Sequence, residues 1–186
     1  PGRNILDFGP HLIDMASWFL GSRRPQRAFA SVDLSGAKMH HGVVVEERLF
    51  GYVDFEGGVR LTVSTGDDQP ASLPTIRVNG SEGFVELRAV TGEGSAPMVA
   101  STCEHACYWV PDLNDSFHVG PSPNAFYDRA LNDILTSVEC GRHCMLDATN
   151  AVASVELTNG LLESARLRRT VEFPLVQREF PLDLPW

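Results

Sequence analysis

The sequence predicts an α+β fold: an open, predominantly antiparallel β-sheet with helices packed on one face. Three features of the 186 residues carry that expectation. An amphipathic helical stripe opens the chain, a run of β-branched, partly alternating segments joined by glycine-rich turns follows, and two further helical stripes close it. Strands grouped together and then helices grouped together favour an antiparallel sheet over alternating βαβ units.

The elements follow in order. Leu12, Ile13, Ala16, Phe19 and Leu20 fall on one face of a helix, with Pro10 suited to its first turn and Gly21 to its stop. Residues 26–34 and 43–55 read as strands, and Glu56-Gly57-Gly58 turns the chain into a partner over Val59 to Ser64. A second hairpin pairs "TIRVNG" with "FVELRAV" across Gly80-Ser81-Glu82-Gly83, whose glycines suit a tight turn at positive φ. Residues 91–123 are rich in Gly, Pro, Ser and Cys and carry two short strand signals, at 97–102 and 106–110. A helix over 123–140 then places Phe126, Ala130, Ile134 and Leu135 on one expected core face. Another runs from Asp147, an N-cap type residue, to about Arg166, before a short strand in "TVEFPL". A sheet covered on one side leaves its second face either to another subunit or to solvent.

A hydrophobic fraction of 43% supports a buried core in one domain of ordinary size. The net charge of −9, with "RLRR" at Arg166–Arg169 the one short basic run, argues against nucleic acid or an anionic membrane as partner. No run of about 18 apolar residues and no charged-then-apolar leader occurs, so the expected setting is the cytoplasm. The chain opens on Pro1 rather than Met, which predicts that further sequence precedes it.

Asp7 and His11 stand four residues apart at the start of the first helix. That spacing brings two side chains to one side of a turn, where a carboxylate can orient an imidazole and stabilise its protonated form. Imidazole titrates near neutral pH and is the common general acid/base. From spacing alone the bland alternative also stands, with Asp7 as a hydrogen-bond acceptor for the helix start and His11 as a satisfied polar residue.

The opening "GRNILDFGPHLIDMASWFLG" resembles the Gly-Gly-x-x-Leu-x-Asp-x-Gly-x-His-x-x-Asp signature of the glucose-fructose oxidoreductase and inositol dehydrogenase (Gfo/Idh/MocA) family, at the start of its C-terminal half. "LFGYVDFEGGVRLTVST" is similar to the family's central hairpin, "IRVNGSEGFVEL" to its Gly-Ser-x-Gly turn, and "NAVASVELTNGLLESARLRRTVEFPL" to its closing helix and strand. The resemblance covers the chain except residues 91–123. It implies that residues 1–186 form the substrate-binding and dimerisation half of an NAD- or NADP-dependent oxidoreductase acting on a sugar, cyclitol or polyol hydroxyl. A dinucleotide-binding domain would precede it, because no G-x-G-x-x-G follows a strand here and the family's Glu-Lys-Pro motif is missing, so the isolated chain is expected to be inactive.

Carried onto this sequence, the resemblance makes His11 the acid/base on the substrate hydroxyl and Asp7 its acidic companion. Asp14 matches the last acid of the signature and is expected to be structural. Arg3 departs from the pattern by replacing the second glycine, and a cation there could contact substrate or point to solvent. Asn124 and Tyr127, at a helix start, are further substrate-contact candidates.

Two compact clusters, Cys103/His105/Cys107 and Cys140/His143/Cys144, hold enough donors for zinc but not the common C-x2-C spacing. Ordinary thiols and no metal are the expectation. His40 and His41 read as loop residues, and Trp18 as core; Tyr108 and Trp109 read as strand packing, with stacking on a sugar as the other reading. The competing functional class is a non-catalytic binding or assembly module of the same fold, with or without a zinc staple.

Overall fold

The computed structural model describes residues 5–40, 43–66, 76–87, 98–102, 125–145 and 147–186. The architecture is α+β, with three α-helices and antiparallel sheets among the described residues. The chain divides into two compact units, Pro1–Pro70 with Thr149–Trp186, and Ala71–Ala148.

The first unit is built on a four-stranded sheet of order β5-β4-β1-β9, from β1 (Pro25–Asp33), β4 (Arg48–Phe55), β5 (Val59–Gly66) and β9 (Val171–Glu172). Register pairs Ala28 with Val53, Ala30 with Gly51, and Leu49 with Thr65, so alternate residues share one face. That face buries Ala28, Ala30, Leu49, Val53, Phe55 and Val63 against Leu157, Leu161 and Leu162 of α3 (Ala148–Leu167) and Ile13 of α1 (Phe8–Leu20). Gly51 is required here. A Cβ on it would stand 2.7 Å from the Ala30 Cβ and 3.0 Å from Leu161 Cδ2, closer than side chains approach.

The predicted "TVEFPL" strand shrinks to two residues, because Pro174 follows closely and proline donates no ladder hydrogen bond. Beyond that stub the edge of β1 is satisfied by α3: the Ala30 amide donates to Ser164 Oγ at 3.1 Å, and that hydroxyl donates to the Arg169 carbonyl at 2.6 Å. The outer face of the sheet carries Phe29 and Tyr52, with ring centroids 5.9 Å apart. Beside them Asp54 accepts from Arg60 and then Arg27, which hold its carboxyl down at about 2.

The strand expected over 43–55 is interrupted. A two-stranded ribbon of β2 (Lys38–His40) and β3 (Val43–Val45) stands apart from β4, and Glu46-Glu47 forms the break. His40, expected in a loop, closes β2 opposite Val43, while His41 lies outside the described residues.

The second unit contains the antiparallel sheet β6-β7-β8, from β6 (Ile76–Gly80), β7 (Gly83–Leu87) and β8 (Met98–Thr102), and helix α2 (Ala125–Cys140). Ser81-Glu82 makes the expected tight turn, with positive φ at Gly83 but not at Gly80. The expected core face of α2 is corrected by the structure: Ile134 and Leu135 are exposed, and Ser137 is the buried side chain among those described. The second strand signal, at 106–110, falls outside the described residues.

Candidate active site

Helix α1 is laid down by its apolar side. Ile13 and Ala16 are buried, Gly9 accommodates the Ile5 side chain, and the Ser17 hydroxyl donates to the Ile13 carbonyl at 2.8 Å. The helix stops at Gly21, whose φ of 62° lets its amide reach back to the Ser17 carbonyl at 3.1 Å. Asp14 accepts from Ser154 of α3 at 3.2 Å, which pins α1 to α3 and gives that acid a packing role.

The opposite side of α1 is open. At 100° per residue, Asp7, His11, Met15 and Trp18 fall within about 80° of one another around the axis. All four are exposed, Trp18 to 57%, so the expectation that Trp18 is core is corrected. The helix buries its 5-9-13-16 side and leaves the indole on the far one.

Asp7 occupies the N-cap position with φ −97° and ψ −69°, yet its side chain makes no capping hydrogen bond. A capping bond, the bland role that spacing alone had allowed it, is not what this side chain makes. An acceptor and an imidazole on one accessible side of a helical turn can take up a proton from a bound hydroxyl.

What fixes this turn is a residue that the sequence reading passed over. Glu46, at the break between β3 and β4, is 6% exposed. Its Oε1 accepts the Ile5 amide at 2.5 Å and the Thr65 hydroxyl at a longer 3.5 Å. Burial pushes the Glu46 carboxyl up, against the lowering effect of those hydrogen bonds. The available signal was an acid directly following the apolar run Val43–Val45 in a chain that turns there.

Arg3 and Asn124 lie outside the described residues, as do Cys103, His105, Cys107, Tyr108 and Trp109. Tyr127 projects from α2 in the second unit, 71% exposed. Among the described residues no group of three or more His, Cys, Asp or Glu side chains could hold a metal ion. The Cys144 thiol instead donates to Asp133 at 3.1 Å, and His143 Nδ1 lies 3.6 Å from Asp147 at the surface. No helix among the described residues is long and apolar enough to cross a membrane.

Residues 1–86 match the family of GFO/IDH/MocA C-terminal domains. No curated protein matches the chain. Solved structures share the fold over nearly all of it. An aldose-aldose oxidoreductase from Caulobacter crescentus, complexed with glycerol, aligns at TM-score 0.69 and 18% identity over 92% of this chain and 48% of its own. A levoglucosan dehydrogenase in complex with NADH and L-sorbose gives 0.72 and 14% identity over 91% and 50%. GenD2 from gentamicin A biosynthesis, in complex with NAD, gives 0.65 and 22% over 94% and 49%. The chain thus spans about half the length of each of these three proteins. It has the fold that the sequence resemblance to the GFO/IDH/MocA C-terminal domain implied.

Proposed function

We propose that the chain is the substrate-binding and acid/base half of an NAD- or NADP-dependent oxidoreductase acting on a sugar, cyclitol or polyol hydroxyl. The observation that carries this reading is the Asp7–His11 pair, exposed on one face of α1 within the stretch that matches the family. Structural neighbours crystallised with glycerol or L-sorbose support the substrate class, and those holding NAD or NADH support the cofactor.

The described residues offer no dinucleotide cradle. Every strand pair described is antiparallel, whereas the Rossmann cradle needs a glycine-rich turn from a parallel strand into a helix. In this reading a separate domain holds the nicotinamide, which when bound supplies the hydride acceptor. The part played here is the proton's. As the carbinol carbon gives up hydride, the substrate O–H must lose its proton, and a nitrogen of His11 accepts it. Asp7, one turn back, orients the ring and balances the positive charge that the ring gains.

Arg3, Asn124 and Tyr127 are retained as candidate substrate contacts on the sequence argument. A homo-oligomer formed through the outer sheet face, where Phe29 and Phe50 are exposed, and a cytoplasmic setting complete the proposal. The test is hydride transfer by the full-length protein across a sugar and polyol panel, with His11→Ala alongside. Loss of a general base is expected to lower kcat/KM by about 100-fold or more. Undiminished activity in His11→Ala would remove the site assignment, and a full-length protein inert to every polyol would favour the binding-module class.

A further inference from the structure

Glu46 is a buried carboxyl for which the proton chemistry above has no use, and unlike Glu163, which pairs with Arg166, it has no cation beside it among the described ion pairs. A carboxyl taken out of water costs several kcal/mol unless its lone pairs are satisfied. Here Oε1 is satisfied, whereas Oε2 is buried without a hydrogen-bond partner. An apolar side chain at this position would avoid that cost. The tolerated cost marks something the carboxyl does that a leucine would not.

The partner it holds shows what that is. Ile5 lies two residues before Asp7 and is fastened twice, its amide by Glu46 and its fully buried side chain beneath Gly9, which lies between Asp7 and His11. The segment leading into the turn is therefore anchored from outside, by a residue 41 positions away in the chain.

Resting on the function proposed above, we infer that Glu46 is a positioning residue for the Asp7–His11 pair. It clamps the Ile5 amide so that the turn carrying the carboxylate and the imidazole keeps one geometry. What matters is the reach of the side-chain oxygen, not a negative charge.

Two substitutions separate reach from charge. Glu46→Gln keeps an oxygen at the same reach without an ionisable group, and Glu46→Asp keeps the carboxyl but withdraws it by one methylene. In this chain, hydrogen exchange at the Ile5 amide is expected to stay slow in Glu46→Gln and to accelerate in Glu46→Asp. In the full-length enzyme Glu46→Gln should retain wild-type kcat. Glu46→Asp should lose about tenfold or more in kcat, the scale on which small misplacements of catalytic groups act. Its KM should be unchanged and the acidic limb of its pH profile displaced, and a merely structural role would move neither kcat per folded molecule nor that limb. Wild-type kinetics in Glu46→Asp, or an equal fall in both variants, would overturn the inference. If His11→Ala is fully active, the proposed function falls and the positioning role falls with it. If His11→Ala is dead while Glu46→Asp is not, only the role of Glu46 falls.

Discussion

Helices α2 and α3 end alike and are held differently. Each closes with the same pair of backbone bonds. In α2 the amides of Gly141 and Arg142 reach the carbonyls of Val138 and Ser137; in α3 those of Arg168 and Arg169 reach Ala165 and Ser164. In α2 the left-handed position is filled by Gly141 at φ 62°, the residue with least steric objection. In α3 it is filled by Arg168 at φ 53°, a conformation that costs a side-chain-bearing residue roughly 1–2 kcal/mol. That cost is borne because the end of α3 is tied down: Ser164 donates to the Arg169 carbonyl and accepts from Ala30 of the sheet. The end of α2 is tied by its own neighbours, through Asp133, which accepts from Arg142 at 2.5 Å, the Met145 amide at 2.8 Å and the Cys144 thiol.

Their side chains invert what patterning suggests. α3 mixes Ser154, Thr158, Gly160 and Ser164 among its leucines, yet it is the buried helix. α2 carries a clear apolar stripe at Tyr127, Leu131, Ile134, Leu135 and Val138, and all five are exposed. Small residues let α3 pack closely on what surrounds it, as at Gly160, where a Cβ would collide with the ring of Phe173, the residue that follows β9. An apolar stripe states what a helix can bury, not what is there to bury it.

The largest effect should therefore come from α3. Leu161 is fully buried against Gly51, and Leu161→Ala is expected to cost about 2–5 kcal/mol, the range for a large-to-small change in a packed core. Denaturant unfolding of the chain measures it. A loss below about 1 kcal/mol would show that α3 is not clamped on the sheet as described.

The same contrast explains what was legible in the sequence. The opening helix, the β4–β5 hairpin and the β6–β7 hairpin could be read because local periodicity and turn glycines specify them, and their registers run without interruption. The Asp7–His11 pair was visible because the two residues lie four apart on one element. Glu46 was not, because its meaning depends on an amide 41 residues away, and no local pattern encodes such a contact. The exposure of Trp18 and of the α2 stripe was illegible for a related reason: burial belongs to the partner surface as much as to the helix.

A smaller effect sharpens the other side of the comparison. Arg142, then the Cys144 thiol and the Met145 amide, hold the Asp133 carboxyl down at about 2. A carboxyl depressed in the folded state stabilises it above the unfolded value of about 3.9, and that stabilisation is lost as pH falls from there through about 2. Asp133→Asn should reduce the helicity of the α2 end at neutral pH and abolish its pH dependence over that window. Circular dichroism along an acid titration of both proteins checks it. Identical titrations would mean that the three donors leave the helix end no firmer than solvent does.

The smallest expected effect is close to zero, and it tests the inversion most directly. Leu135 and Val138 are 60% and 78% exposed, so Leu135→Ser and Val138→Ser withdraw little apolar surface from a core. Each should change stability by no more than about 0.5 kcal/mol, the ordinary scale of surface substitutions, with a few tenths of that from the poorer helix propensity of serine. The same changes in a buried stripe would cost several times as much, because the lost transfer energy and the cavity would add. Were either variant destabilised on the Leu161→Ala scale, α2 would be covered in solution, and the difference drawn here between the two helices would collapse into one of partners rather than of packing.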